Sequence, residues 1–205
     1  MNPNDRILCP IPWSFDYGYG QLLSTFITGC TLILPSKQDV WSICETIQEN
    51  QPTIFPGIPS LYVYLLQGLA PLTKTDISSI RVFTNTGGTI PEPVLNKLID
   101  VSSDSKLFLN YGLTETYRTS YLDPSLVSKR PQSIGKAIPG VEVYIIRDDG
   151  GIAKSGEIGE IVHRGDYIMM GYWGNETETQ KVKGLDNLIP MQFSDQNNLL
   201  YTGDL

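Results

Sequence analysis

Histidine is nearly missing from this sequence: among 205 residues only His163 carries an imidazole. A Ser-His-Asp triad would have to be built on that one residue, and a metal centre with several histidine ligands is excluded. Cysteine is scarce as well. Cys9, Cys30 and Cys44 are odd in number and not paired at metal-ligand spacing, so a reducing compartment is the simple expectation. Basic residues are outnumbered, 15 Lys and Arg against 22 Asp and Glu for a net charge of -7. Without a basic stripe the chain lacks the electrostatic footprint of a nucleic-acid binder. No apolar run approaches the length of a membrane span. The opening MNPNDR has neither the basic nor the apolar region of a signal peptide. Together these absences lead to an expected cytoplasmic protein, and they leave the glycosylation sequon at Asn175 inert.

What is present is enough apolar material for a sizeable core, 40% of the residues, in a length that suits one large domain or two small ones. The first half alternates two kinds of segment. Short, unalternating apolar runs predict strands at Ile7–Ile11, Thr31–Leu34, Thr53–Phe55, Ile80–Thr84 and Lys106–Leu109. Helices are predicted between them at Tyr19–Ile27, Val40–Glu49, Ser60–Gln67 and Pro93–Val101. In the last of these Val94, Leu95, Leu98 and Ile99 form one stripe, and Pro91 and Pro93 stand at its start, where proline is tolerated. Such alternation predicts an α/β fold with a parallel sheet flanked by helices. After Glu115 the helical periodicity stops. Polar, proline-bearing Asp123–Gln132 is read as a linker, and β-like runs follow at Val141–Ile146, Glu157–His163 and Leu199–Thr202, broken by turns such as Asp148–Gly151. The expected organisation is a parallel-sheet α/β subdomain over 1–122 and a small β-rich subdomain, a distorted barrel, over 133–205.

Two loops carry candidate chemistry. Thr86-Gly87-Gly88-Thr89 lies between a predicted strand and helix. Its glycines let a ligand approach the backbone, and the helix N-terminus offers free N–H groups. A tight βα turn leaves the same trace, and the lysine of a P-loop is lacking. The second loop, NYGLTE at Asn110–Glu115, also follows a strand, and in an open parallel sheet ligands bind at the carboxyl ends of strands. Tyr111 can stack on a base, and Gly112 permits a sharp turn. Thr114 can donate to a phosphate oxygen, and Glu115 can hold Mg²⁺ through oxygen. The alternative makes Tyr111 a core residue and Glu115 a solvated charge.

The set TNTGGT, NYGLTE, SIGKAIPG, GEIGEIVHRG with MMGYW, and YTGDL resembles, in order and spacing, the AMP-binding, adenylate-forming superfamily of acyl-CoA synthetases, luciferases and peptide-synthetase adenylation domains. The resemblance implies that Gly87, Gly88 and Tyr111 hold adenine, with Thr89 and Gly112 in the same two loops, and that Asn110 meets the adenine amino edge. Thr114 contacts the α-phosphate, Glu115 binds Mg²⁺ and Asp204 grips the ribose hydroxyls. A carboxylate can accept from both hydroxyls of one ribose, so Asp204 suits that role chemically. Implied partners are ATP or AMP, a carboxylic acid, and CoA or the phosphopantetheine of a carrier protein as thiol acceptor.

Two departures from the family pattern stand out. The Ser/Thr/Gly-rich phosphate loop that precedes the PWSFDYG region in the family has no counterpart, nor has the C-terminal lobe with its lysine. The chain thus resembles the central part of such an enzyme, without the N- and C-terminal parts of the parent, and is expected to be inactive alone. PWSFDYG matches the segment bordering the acyl pocket. Phe15-Asp16 is the pair found in amino-acid-activating members, where the Asp meets the substrate ammonium, but Gly18 stands where a serine follows. Asp16 as the cap of the first helix is the competing reading. A non-catalytic nucleotide-binding module and a scaffold that binds no nucleotide are further alternatives.

Overall fold

A computed structural model describes residues 1–183 and 198–205. The chain divides into two compact units, one made of Met1–Tyr111 and Tyr121–Gly135, the other of Gly112–Ser120 and Lys136–Leu205.

The first unit is the expected parallel α/β fold. Its strands β1 (Arg6–Leu8), β2 (Thr31–Ile33), β3 (Ile54–Gly57), β4 (Val82–Asn85) and β5 (Lys106–Tyr111) alternate with helices α1 (Asp16–Thr28), α2 (Val40–Asn50), α3 (Pro59–Leu66) and α4 (Glu92–Val101). They stand in the order β2-β1-β3-β4-β5, every neighbouring pair parallel. The period-2 geometry of a strand sends successive residues to opposite faces. Leu8, Ile33, Phe55, Phe83 and Leu107 therefore share one core with Ile43 and Ile47 of α2, Leu65 and Leu66 of α3, and Val94, Leu95 and Leu98 of α4. Ile7 and Ile54, one residue earlier in each strand, form a second small cluster with Cys30. Helix starts follow local chemistry. Asp39 caps α2 by accepting from the amides of Trp41 (3.0 Å) and Ser42 (2.9 Å). Pro91 and Pro93 open α4.

At the amino ends of the strands a buried carboxylate ties three of them. Asp5 accepts twice from Arg81 Nη2, both at 2.7 Å, and once from Thr53 Oγ1 at 2.8 Å. Burial pushes its pKa up, but the bonds from Arg81, Thr53 and the Asn2 amide outweigh that and leave it below the usual aspartate value.

The second unit holds an antiparallel three-stranded sheet, β10-β9-β8. Here β8 is Val141–Ile146, β9 is Glu160–Gly165 and β10 is Leu199–Tyr201. Among the described residues Ile146, Val162 and Leu199 form a small apolar cluster there, packed by Tyr144 and Tyr201. Where a distorted barrel was expected, the described residues form this sheet. Two short strands, β6 (Ser120–Leu122) and β7 (Lys136–Ala137), lie where the chain passes between units. Helix α5 (Glu176–Val182) was not expected, because six polar residues and a single valine make no apolar stripe. Asn175, the sequon asparagine, is its N-cap and accepts from the Glu178 amide at 3.2 Å. The stretch expected as a linker, Asp123–Gln132, falls within the first unit. A short 3-10 turn forms at Pro124–Leu126, and Val127 is buried in the core. One apolar side chain in a polar stretch is enough to anchor it, and composition cannot reveal that.

Candidate functional site

In the first unit, the carboxyl ends of the strands gather the candidate residues. The strand order reverses between β1 and β3, and ligands of doubly wound sheets bind outside the carboxyl ends at such a switch. The loop after β1 leads to Phe15 and Asp16, while the turn after β3 presents Gly57 and Ile58. The loop after β4 is Thr86–Thr89, and β5 ends in Asn110 and Tyr111. The last two lie inside β5 rather than beyond it. The strand register pairs Asn85 with Gly57 on one side and with Leu109 on the other, so these three ends are level.

The Gly87-Gly88 loop is exposed and held from below. Gly87 has φ +77° and Gly88 φ +139°, conformations that side chains rarely adopt. Asn85 Nδ2 donates to the Gly88 carbonyl at 2.9 Å, while its Oδ1 is buried and accepts from none of the described residues. Beneath, Thr84 is gripped from two helices. The Tyr62 hydroxyl donates to its carbonyl at 2.8 Å, and the Tyr17 hydroxyl bonds its Oγ1. Burial, then the neighbouring Tyr17, raises the Tyr62 pKa well above the ordinary tyrosine value, so this donor stays protonated. The Tyr17 bond also ties the first turn of α1 to the end of β4, two residues before the glycine loop.

Asp16 is the first residue of α1, not its cap. The N-cap position belongs to Phe15, which makes no capping bond and is exposed. The cap reading of Asp16 is thereby corrected: the helix begins three residues earlier than the apolar spacing indicated, which moves Asp16 inside it. Gly18 faces the backbone of the preceding loop. A Cβ there would lie 2.4 Å from the Pro12 carbonyl oxygen and 2.7 Å from that of Ile11. A serine cannot occupy this place unless residues 11–12 move.

In the second unit, Gly112–Ser120 carries the other half of NYGLTE. Gly112 is packed by its own loop, since a Cβ would stand 2.8 Å from the Tyr117 carbonyl oxygen. Thr114 is exposed and Glu115 half-buried. Glu115 is held twice. Its Oε1 accepts from the Tyr172 hydroxyl at 2.6 Å, and its main-chain carbonyl accepts from the Met169 amide at 2.8 Å. The bond to Glu115, followed by desolvation, pushes the Tyr172 pKa up to about 12. Below the loop runs a buried polar relay. The Leu113 amide donates to Thr116 Oγ1 (3.3 Å), which bonds Thr119 Oγ1 (3.0 Å), which bonds His163 Nδ1 (3.0 Å). Thr116, Thr119 and His163 are fully buried. Burial lowers the His163 pKa, and its Nε2 has no hydrogen-bond partner among the described residues. The single histidine is thus a support for the loop rather than a nucleophile's base. Tyr172 and this relay were not singled out from the sequence. Their signal, a tyrosine in MMGYW and a histidine in a β-run, has no spacing that ties it to Glu115.

Asp204 follows β10 and is exposed. Its carbonyl accepts from the Ile161 amide at 2.8 Å, and its amide donates to Thr202 Oγ1 at 3.2 Å, which fixes the turn beside β9. Among the described residues no group of three or more His, Cys, Asp or Glu could hold a metal ion. Glu115 would be a lone protein carboxylate for Mg²⁺, an arrangement that suits an ion sharing its shell with water and substrate phosphates.

Residues 1–173 match the family described as AMP-binding enzyme. The chain belongs to that family. It is similar to the long-chain-fatty-acid–CoA ligase of Bacillus subtilis (strain 168), 29% identical over 98% of this chain and 36% of the ligase. Among solved structures, VinN in complex with L-aspartate is 26% identical with a TM-score of 0.81, over 100% of this chain and 47% of VinN. The o-succinylbenzoate CoA synthetase MenE of Bacillus subtilis, in complex with its acyl-adenylate intermediate, is 26% identical with a TM-score of 0.82, over 99% of this chain and 38% of MenE. The chain therefore spans about a third of the length of the ligase relatives it matches. No helix among the described residues is long and apolar enough to cross a membrane.

Proposed function

We propose that this AMP-binding chain is the nucleotide-holding central part of an ATP-dependent ligase that activates a carboxylic acid as acyl-AMP, releases pyrophosphate and passes the acyl group to the thiol of CoA. The observation that carries the reading is the level row of strand ends in the first unit, with the open Gly87-Gly88 loop after β4 and Asn110 and Tyr111 closing β5. The glycines admit a flat base to the backbone, Tyr111 stacks on it, and Thr89 and the Asn110 amide lie on the same edge of the sheet. In the second unit the Thr114 hydroxyl donates to the α-phosphate, Gly112 keeps the loop tight, and the Asp204 carboxylate accepts from the ribose hydroxyls. Glu115 would hold Mg²⁺, which when bound neutralises the charge gathering on the phosphate oxygens. The chain alone holds the nucleotide without completing the reaction, because the N- and C-terminal parts of the parent carry the phosphate loop and the lysine. Three buried thiols, none in a disulfide, suit a reducing, cytoplasmic setting.

A second reading keeps the adenylate chemistry and changes the acid. VinN is described with L-aspartate, and Phe15 and Asp16 stand at the switch point of the sheet, where a substrate ammonium would find a carboxylate. That reading makes the chain part of an amino-acid adenylation domain serving a carrier protein. The packing at Gly18 weighs against it, because there is no room for the serine of the amino-acid pattern. Both readings are tested by calorimetric titration with AMP and with non-hydrolysable acyl- and aminoacyl-AMP analogues. Tyr111→Ala should weaken AMP by roughly 5- to 150-fold, the loss of one stacked base at about 1–3 kcal/mol. Unchanged affinity would remove the adenine reading. Asp16→Asn should spare both analogues equally if the substrate is a plain acid. A selective loss of the aminoacyl analogue, by about 2 kcal/mol or more, would favour the second reading.

A further inference from the structure

The geometry assigns Tyr172 as a positioning residue that fixes the Glu115 carboxylate for a divalent cation bound together with the nucleotide. This inference deepens the proposed function and rests on Glu115 as the cation ligand.

Tyr172 is not a core residue. It is 36% exposed, so packing alone does not account for the direction of its ring. Its hydroxyl ends 2.6 Å from Glu115 Oε1, at the short end for an O–H donor on a carboxylate. Three ties hold the segment that carries it. The Tyr172 amide donates to Thr179 Oγ1 at 2.9 Å, the buried Thr179 hydroxyl donates to the Asn175 carbonyl at 2.9 Å, and the Met169 amide bonds the Glu115 carbonyl at 2.8 Å. Gly171 seals the arrangement, since a Cβ there would lie 2.8 Å from Thr179 Cγ2. The chain thus closes on Glu115 at two points, one through the backbone and one through the phenol.

The chemistry follows from the atoms used. A glutamate has three rotatable torsions, and a half-buried one left alone would sample several positions. A phenol donating to Oε1 selects one of them and leaves Oε2, which accepts from none of the described residues, as the oxygen for a cation. Hydrogen-bonded partners of this kind orient metal-binding carboxylates, and their loss commonly weakens metal binding by about 10- to 100-fold.

The test uses the full 205-residue chain with AMP and two probes, Mn²⁺ followed by magnetic resonance and Tb³⁺ followed by luminescence. Trp173, fully exposed and next in the chain, serves as an antenna that survives the substitution of its neighbour. Glu115→Gln defines the site as the saturable signal it abolishes. Tyr172→Phe, which keeps the ring, should raise the cation Kd by about 10- to 100-fold while AMP affinity measured in EDTA stays within about twofold. Cation binding by Tyr172→Phe equal to that of the unaltered chain, with Glu115→Gln still inactive, would overturn the positioning role and leave the cation reading standing. An equal loss of AMP affinity in EDTA would show a general collapse and overturn it too. If Glu115→Gln binds the cation normally, the cation reading itself fails and this inference with it. Should Tyr172→Phe not fold, Thr179→Val removes the acceptor for the Tyr172 amide and should also weaken the cation, and no effect there would count against the role.

Discussion

In the first unit Phe55 meets Phe83 and Tyr62 with ring centroids 5.8 and 6.2 Å apart, inside a core drawn from six strands and three α-helices. In the second unit the fully buried Thr116, Thr119 and His163 are joined by 3.0 Å hydrogen bonds, beside an apolar cluster that among the described residues has three buried members. The first unit is stabilised by apolar area; among the described residues of the second, a polar relay under a loop stands beside the apolar cluster. The contrast follows from topology. A parallel sheet with helix crossovers buries near-continuous apolar strands, whereas a three-stranded antiparallel sheet leaves much of its surface wet. Under the proposed function it also separates two tasks. The glycine loop needs a stiff floor, which close-packed rings supply. The Thr114–Glu115 loop needs fixed directions, and hydrogen bonds supply direction better than dispersion does.

The largest effect expected from breaking this contrast comes from Phe55→Ala. Removing a fully buried ring should cost about 3–5 kcal/mol, read as a lower denaturation midpoint. Amide exchange should show protection lost in β3 and β4 and kept in β8 and β9. Simultaneous loss in all four strands would mean that the units do not fold as separate bodies.

Asp5→Asn should come next, at about 1–2 kcal/mol, because a charged hydrogen-bond pair is lost but its Arg81 partner is half exposed, at 50%. The folded Asp5 pKa lies below the ordinary 3.8. Its stabilisation is therefore complete above the unfolded value and is lost as pH falls toward the folded one. The variant should flatten the acid limb of the first unit's stability below about pH 4. An unchanged acid limb would remove Asp5 from the account.

The smallest effect sharpens the comparison from the other side. His163 titrates below the ordinary 6.5 because burial disfavours its charged form. Below about pH 6.5 the unfolded chain takes up a proton that the folded chain refuses, so stability falls until the folded value is passed. The second unit should thus soften in mild acid before the first. His163→Asn should remove that slope, on the order of 1 kcal/mol or a few degrees in Tm. It is measured by exchange at the β9 and β10 amides between pH 7.5 and 5. Equal slopes in the variant and the unaltered chain would refute the buried-histidine account.

The element types of the first unit were legible because each has a local cause: apolar period, prolines at the start of α4, and glycines after β4. Boundaries were less so. The helix after β1 begins at Asp16 rather than Tyr19, and its first turn includes Tyr17, which bonds Thr84, 67 residues away. The NYGLTE and TNTGGT stretches pointed to the AMP-binding family through their residue types and order. Their supports, Tyr62, Asn85, Tyr172 and Thr119, did not, because each acts on a partner distant in the chain or on a backbone atom. A barrel was expected where the described residues make a three-stranded sheet. Alternating β-runs state that strands form, but not how many pair or in what closure.

By itself, then, the sequence determined what depends on neighbours a few residues apart: the α/β alternation, the open glycine turn after β4, and the acid, amide, hydroxyl and ring in one six-residue stretch. The tertiary structure alone decided what depends on contacts across the chain. Tyr17 in the first turn of α1 was joined to Thr84 of β4, Gly18 lost the room for a side chain to the Pro12 carbonyl, and the Glu115 carboxylate was given a direction by a phenol 57 residues later. The physical reason is range. Backbone conformation and residue chemistry are local properties, but the orientation of a side chain is set by whichever donor the fold brings within about 3 Å of it.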